Sequence, residues 1–273
     1  MAVVYAAEDL EFEGSRVAIK QLICPPVAPA DRALLEEAFV REAQTLRGLK
    51  HQFIPRVYAC FSAHGDHFLV MDLLSGRTLD TFVDLDNASG RPAFAPTVMA
   101  VLSWSLQVCE ALVYLHAQKP HPVIHKDIKP QNLMLTAEGV MLLDFGIAKA
   151  TDPRGRYRTI VEGVATPGYA APEMYLAQGT SDPRVDIYAL GATIYALLGG
   201  RTPIESIVRQ SELLAARPDP LPPLRSLRPD VPAYVEGALQ RMVEVRVEQR
   251  FATATAARRS LATCREWIHK GLP

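Results

Sequence analysis

The segment "VIHKDIKPQNLML", Val123 to Leu135, constrains this chain more than any other. Two apolar runs flank a polar loop that carries Asp127, Lys129 and Asn132 in order, with Pro130 inside it. A Pro-containing polar loop between strand-like runs is ordinary turn chemistry, and read alone Asp127 is a carboxylate in a turn. A further apolar run, "VMLLDFG", follows and brings Asp144 to the end of a hydrophobic strand. A carboxylate there is costly unless paired or metal-bound, although an Asp shortly before a Gly also reads as a turn. What separates these readings is the company the two acids keep elsewhere in the chain.

The 273 residues are 49% apolar and 22% charged, which suits a soluble globular protein with one large domain or two lobes. A net charge of −1 supplies no basic field, so nucleic acid is not expected as a partner. Cys24, Cys60, Cys109 and Cys264 lie far apart, which argues against a disulfide framework or zinc site and for a reducing compartment. The apolar region Ile187–Leu198 is broken by Gly191 and is too short to span a bilayer. The opening "MAVVYAAEDLEFEG" lacks a basic leader and reaches acids by Glu8, so it is not a secretory signal. A cytoplasmic location with no membrane segment is the expectation.

"MAVVYAAE" and "SRVAIKQLI" read as strands around a turn at Glu13-Gly14. From Asp31 to Lys50 the pattern turns helical, with Leu35, Phe39, Ala43 and Leu46 at helical spacing. "RVYACFS" and "HFLVMDLL" form a hairpin closing around Gly65-Asp66, and Gly76 marks a short connection. A long helix is predicted from Pro96 or Thr97 to about His116, and further helices over Pro183–Leu198, Pro203–Ala216, Pro232–Val245 and Thr253–Lys270. The intervening "RPDPLPPLRSLRPDVP" reads as a Pro-rich surface connector, and Ala148–Gly168 as exposed loop. The layout is α+β and bilobal: a small β-rich lobe with one helix over residues 1–71, and a larger helical lobe over 75–273. A cleft between two lobes is a favoured ligand site.

Phosphoryl transfer needs cations on the phosphates, oxygen ligands for Mg²⁺ and a base beside the attacking hydroxyl. Lys20 ends the strand "VAIK", and Glu42 lies on the apolar side of the helix that follows. Alone, Lys20 is a solvated strand-end charge and Glu42 a solvated helix residue; as a pair they would hold an ammonium in place for a phosphate. Asp127 can accept a hydroxyl proton, Lys129 can neutralise a transferred phosphoryl group, and Asn132 offers a neutral oxygen to a metal. Asp144 adds a second metal oxygen.

Taken in order, Val17-Ala18-Ile19-Lys20, Glu42, His125-x-Asp127-x-Lys129-x-x-Asn132, Asp144-Phe145-Gly146 and Ala171-Pro172-Glu173 resemble the signature set of protein kinases. "DIYALG" puts Asp186 at the family's buried helix Asp, and "EQRFATA" puts Arg250 at the Arg that pairs with the Glu of Ala-Pro-Glu, here Glu173. The resemblance covers essentially the whole chain and is strongest to the eukaryotic-like serine/threonine kinases of bacteria, on "KPQN" and "GVATPGYAAPE". It implies the bilobal kinase fold with a hinge at 72–74, ATP and Mg²⁺ in the cleft, and proteins with Ser or Thr hydroxyls as substrates, the enzyme itself included. By the same resemblance Lys20, held by Glu42, contacts the phosphates, Asp127 and Lys129 are catalytic, and Asn132 and Asp144 hold metal. Val4 and Ala18 roof the adenine, Met134 floors it, Met71 is the gatekeeper, and Asp72 and Leu74 offer hinge backbone. Thr166 bonds Asp127 and Lys129.

Two features depart from the family pattern. The glycine loop and first strand that should precede Val4 are missing, and Ala2 falls where the last loop glycine stands, leaving Ala2–Ala7 as a sheet edge. Either the true start lies upstream or the domain is a pseudokinase used for binding or scaffolding. Lys126 replaces the usual Arg and lacks its planar fork, which weakens the case for switching by loop phosphorylation at Thr151, Tyr157 or, first in rank, Thr159. A small-molecule phosphotransferase of the aminoglycoside- or choline-kinase type does not fit Phe145-Gly146 or the Glu173–Arg250 pair.

Overall fold

The computed structural model describes residues 2–10, 14–22, 40, 43–83, 95–144, 166–175 and 182–272. The first lobe is a four-stranded antiparallel sheet of β1 (Ala2–Glu8), β2 (Arg16–Leu22), β3 (Val57–Ala63) and β4 (Asp66–Asp72), in the order β1-β2-β4-β3. The hairpin between β3 and β4 turns on His64 and Gly65, both at positive φ, one residue earlier than the Gly65-Asp66 turn that the spacing predicts. Two such residues in succession match the twist of the flanking strands. Residues 43–48 are helical (α1), and Ala43, Leu46 and Leu49 are buried. Leu35 and Phe39 lie outside the described residues.

The second lobe is helical: α2 (Val98–His116), α3 (Arg184–Gly199), α4 (Ser206–Leu214), α5 (Leu224–Leu227), α6 (Ala233–Met242) and α7 (Ala254–His269). Thr97 and Thr253 cap α2 and α7, each side-chain oxygen accepting an N–H three residues on at 3.1 Å. A small sheet of β5 (Arg77–Thr78), β6 (Leu133–Leu135) and β7 (Val140–Leu142) lies at the lobe boundary. β5 is absent from the sequence reading because two residues carry no periodicity. It lies close to β6 because Gly76 has no Cβ: one built there would stand 2.3 Å from the Leu135 carbonyl oxygen.

α3 is buried from Val185 through Leu198, as a helix apolar on all sides must be. The longest apolar helix among the described residues is α2, not the Ile187–Leu198 region, and α2 packs against α7 and α3 with ten residues buried. The Pro-rich connector runs along the surface as predicted, with Arg217, Pro218, Arg225 and Asp230 exposed, but it also reaches the core. Leu224 and Val231 are buried, and the buried Arg228 donates to the Pro96 carbonyl at 2.8 Å. Prolines remove backbone donors and so hide such a segment's contribution to a core. The lobes share one hydrophobic core through Leu46, Leu49, Phe53 and Ile54, and Leu142 N–H donates to the Phe53 carbonyl at 2.9 Å.

Gly191 sits mid-helix in α3, where helix propensity alone favours Ala by about 1 kcal/mol. Yet a Cβ there would meet Met242 Cβ at 2.6 Å and Val243 Cγ1 at 2.9 Å. Gly191→Ala is therefore expected to destabilise the protein by about 1–3 kcal/mol, the cost of overpacking. Urea unfolding decides it, since a raised midpoint would show that α3 and α6 can part without loss.

Candidate active site

A fully buried carboxylate organises the loop that carries Asp127. Asp186, in the first turn of α3, accepts the His125 N–H at 2.9 Å on Oδ2 and the Lys126 N–H at 2.8 Å on Oδ1. Its Oδ2 also lies 2.9 Å from His116 Nε2. Burial alone opposes ionisation of Asp186. The bond and charge of His116, the charge of His125 and the Lys126 N–H outweigh it, and the carboxyl is held below its usual value. Lys126 adopts φ +67°, a left-handed conformation costly for a non-glycine residue, and the two N–H bonds hold it there. His125 is also buried, with Nε2 2.8 Å from the Leu143 carbonyl, so the loop is tied to the end of β7 as well.

The chain turned by Lys126 presents Asp127 to three side chains. Thr166 Oγ1 donates to Asp127 Oδ1 at 2.8 Å. Asn132 Nδ2 donates to Asp127 Oδ2 at 2.8 Å and to its carbonyl at 2.7 Å. Lys129 Nζ lies 3.0 Å from Asp127 Oδ2 and 3.2 Å from Thr166 Oγ1. Asn132 is itself held by a turn of 3₁₀ helix over Pro130–Asn132, and its carbonyl accepts the Leu143 N–H at 2.8 Å. That bond places Asp144 next to the cluster.

Asp144, at φ +49°, is the acid that meets the sheet lobe: Lys20 Nζ lies 2.6 Å from its Oδ1. The Lys20 side chain is 8% exposed and that of Asp144 50%. Lys20 thus meets Asp144, and Asn132 meets Asp127 and the residue before Asp144. The direct Lys20–Asp144 pair was not foreseen, because nothing in the spacing announces a contact across 124 positions. Glu42 lies outside the described residues, as do Phe145, Gly146, Thr151, Tyr157 and Thr159.

Strand alternation puts Val4, Ala18, Lys20 and Met71 on one face of the sheet, since Val4 opposes Lys20 and Ala18 opposes Met71. Ala18 is buried and Val4 exposed. Asp72 ends β4, Leu74 lies in the extended segment after it, and Met134 is in β6 below, against Gly76. The Glu173–Arg250 pair forms as the family resemblance implies, bidentate at 2.6 and 2.9 Å. His116, which no motif marked, joins this framework only once the structure places it beside Asp186.

The protein kinase domain family matches residues 1–260. The chain belongs to that family. It is 35% identical over 266 residues to the serine/threonine-protein kinase Pkn1 of Myxococcus xanthus, covering 96% of this chain and 36% of Pkn1. The tyrosine-protein kinase MasK of the same species is 33% identical over 276 residues, covering 96% of this chain and 41% of MasK. The kinase domain thus spans well under half the length of these relatives. Among solved structures, a doubly substituted PknI kinase domain of Mycobacterium tuberculosis superposes with a TM-score of 0.70 at 27% identity, covering 96% of this chain and 90% of that one. The fold is the α+β, bilobal kinase fold, with a small antiparallel sheet in one lobe and helices in the other.

Asp186→Ala strips the acceptor from two buried N–H groups, and a loss of about 3–5 kcal/mol is expected at neutral pH. The pH dependence follows from the lowered pKa. The carboxylate's contribution is fully present above the unfolded value of 3.8 and is lost as pH falls through the lower native value. Urea unfolding of wild type and variant between pH 7 and 3 should show the gap narrowing only at the acid end.

Proposed function

We propose that this domain transfers the γ-phosphoryl group of ATP to Ser or Thr hydroxyls of proteins, itself included, as a cytoplasmic signalling enzyme. The observation that carries the reading is the clustering of Lys129, Asn132 and Thr166 on Asp127 beside the Lys20–Asp144 pair. In this reading Asp127 accepts the hydroxyl proton as the hydroxyl oxygen bonds to the γ-phosphorus and the bond to ADP breaks. Thr166 and Asn132 hold one carboxylate oxygen each, so Asp127 is oriented before substrate arrives. Lys129, between Asp127 and Thr166, faces the charge that accumulates on the moving phosphoryl group. Lys20 contacts the α- and β-phosphates. Val4, Ala18 and Met134 enclose the adenine, Met71 limits the pocket behind it, and the backbone of Asp72 and Leu74 meets its edge.

The residues present fit Mg²⁺. Asn132 Nδ2 is engaged by Asp127, which leaves Oδ1 as the atom it can offer, and Asp144 has a half-exposed carboxylate. Both are hard oxygen donors. Among the described residues no group of three or more His, Cys, Asp or Glu is placed to hold a metal alone. This suits an ion that completes its shell with phosphate oxygens, which Mg²⁺ commonly does. When bound, Mg²⁺ supplies neutralising charge to the phosphates.

Positioned base catalysis is worth roughly 10²–10⁴-fold in rate. Asp127→Asn keeps the shape of the side chain and is expected to lower transfer from labelled ATP to a generic basic protein by that factor. Equal rates in variant and wild type would remove Asp127 from the chemistry. Phosphoamino-acid analysis of the wild-type product identifies the acceptor; phosphotyrosine alone would overturn the Ser/Thr assignment.

A further inference from the structure

β3 and β4 do not pair in even register. Val57 opposes Met71 and Ala59 opposes Val70, so Tyr58 is an extra residue on β3. A bulge of this kind re-aims one side chain, and bulges gather beside functional sites. Here the re-aimed hydroxyl of Tyr58 donates to Asp72 Oδ1 at 2.5 Å. The other oxygen, Oδ2, accepts the Arg56 N–H at 2.7 Å, and the Asp72 N–H donates to the Arg56 carbonyl at 3.0 Å. The Arg56 guanidinium lies over the Tyr58 ring, 5.4 Å from its centre.

Asp72 is therefore held at three atoms at the point where the chain leaves the sheet for the helical lobe. Two of these holds come from the Arg56 backbone, and the third from Tyr58, a residue that is 44% exposed. A polar contact this exposed adds little to stability. What it fixes is geometry: with its N–H and Oδ2 tied to the Arg56 backbone just before β3 and its Oδ1 tied to Tyr58, Asp72 is pinned where the chain leaves the sheet. The hydrogen bond to Asp72, helped by burial and the carboxylate's charge, also raises the pKa of the phenol above its ordinary value.

We propose that Tyr58 is a positioning residue for the nucleotide, acting through Asp72 to fix the backbone against which the adenine edge docks. The proposal rests on the reading of Asp72 and Leu74 as the adenine-facing backbone. It predicts an effect on nucleotide affinity and base selectivity with little effect on the chemical step. A purely structural role would instead lower the melting temperature and leave the KM for ATP where it was.

The test uses the full 273-residue chain. Tyr58→Phe keeps the ring beneath Arg56 and removes only the hydroxyl. Its KM for ATP, with a saturating basic protein as acceptor, is expected to rise about three- to tenfold while kcat stays within about twofold, a change the size of one hydrogen bond. Discrimination of ATP over GTP should fall in parallel. Asp72→Ala should raise KM at least as far, and the double variant should be no worse than Asp72→Ala alone, since both remove one coupled contact. An unchanged KM and unchanged ATP/GTP preference in Tyr58→Phe, or full additivity in the double variant, overturns the positioning role while leaving the kinase reading intact. A wild-type chain that binds no Mg·ATP in titration calorimetry overturns both.

Discussion

The buried carboxylate of Asp186 is the interaction on which the rest of the site depends. An ion with no exposure to water survives only if its lone pairs are filled, and here two backbone N–H groups and one imidazole fill them. Its place in the first turn of α3 adds the favourable end of the helix dipole. The consequence reaches beyond one charge. Because the two N–H donors belong to His125 and Lys126, Asp186 dictates the backbone of the residues just before Asp127. It holds Lys126 in a conformation that a free chain would avoid, and that conformation aims Asp127 at Thr166, Asn132 and Lys129. α3 is buried along nearly its whole length, so this anchor is as rigid as the core around it.

Buried arginines extend the same logic. Arg250 is 2% exposed and donates to both oxygens of Glu173, to the carbonyls of Glu244 and Val245, and to that of Arg184. It joins the segment after Thr166 to the start of α3 and the approach to α7. Arg209 does likewise for α4, binding Asp219, Tyr188 and the Val243 carbonyl. Each cation uses several faces of a planar fork that a lysine ammonium does not have. The position of Thr166 is thereby coupled to the helical core through the segment that follows it.

Much of this was legible beforehand, and the exceptions have physical reasons. The strands of the first sheet and helices α2, α3, α4, α6 and α7 announce themselves through their apolar patterns. The motifs that carry Lys20, Asp127, Asn132 and Asp144 suggest a site through the family resemblance, which also implies the Glu173–Arg250 pair. What stayed hidden depends on partners distant in sequence or on elements too short to repeat. β5 has two residues, α5 has four and lies among prolines, and His116 is one more residue on a helix until Asp186 is placed beside it. The bulge at Tyr58 is invisible for a related reason: alternation locates a strand, but one extra residue shows only against the partner strand.

The two halves of the site are unequally held. Asp127 and Asn132 are fixed by hydrogen bonds within the helical lobe, and Asp144 follows Leu143, whose N–H and carbonyl are bonded to Asn132 and His125, while Lys20 rides on β2 of the other sheet. Among the described side chains, Lys20 and Asp144 make the ion pair that joins these halves. Of the two, Lys20 is the more deeply buried, so the ammonium is the member that cannot be left without an anion. Asp144 meets that need here from a half-exposed position. Under the proposed function a nucleotide phosphate meets the same need, and exchanging one anion for another costs far less than leaving the ammonium bare. The ion pair thus directs Lys20 into the cleft, and under the same proposal a metal would replace the ammonium as the cationic partner of Asp144.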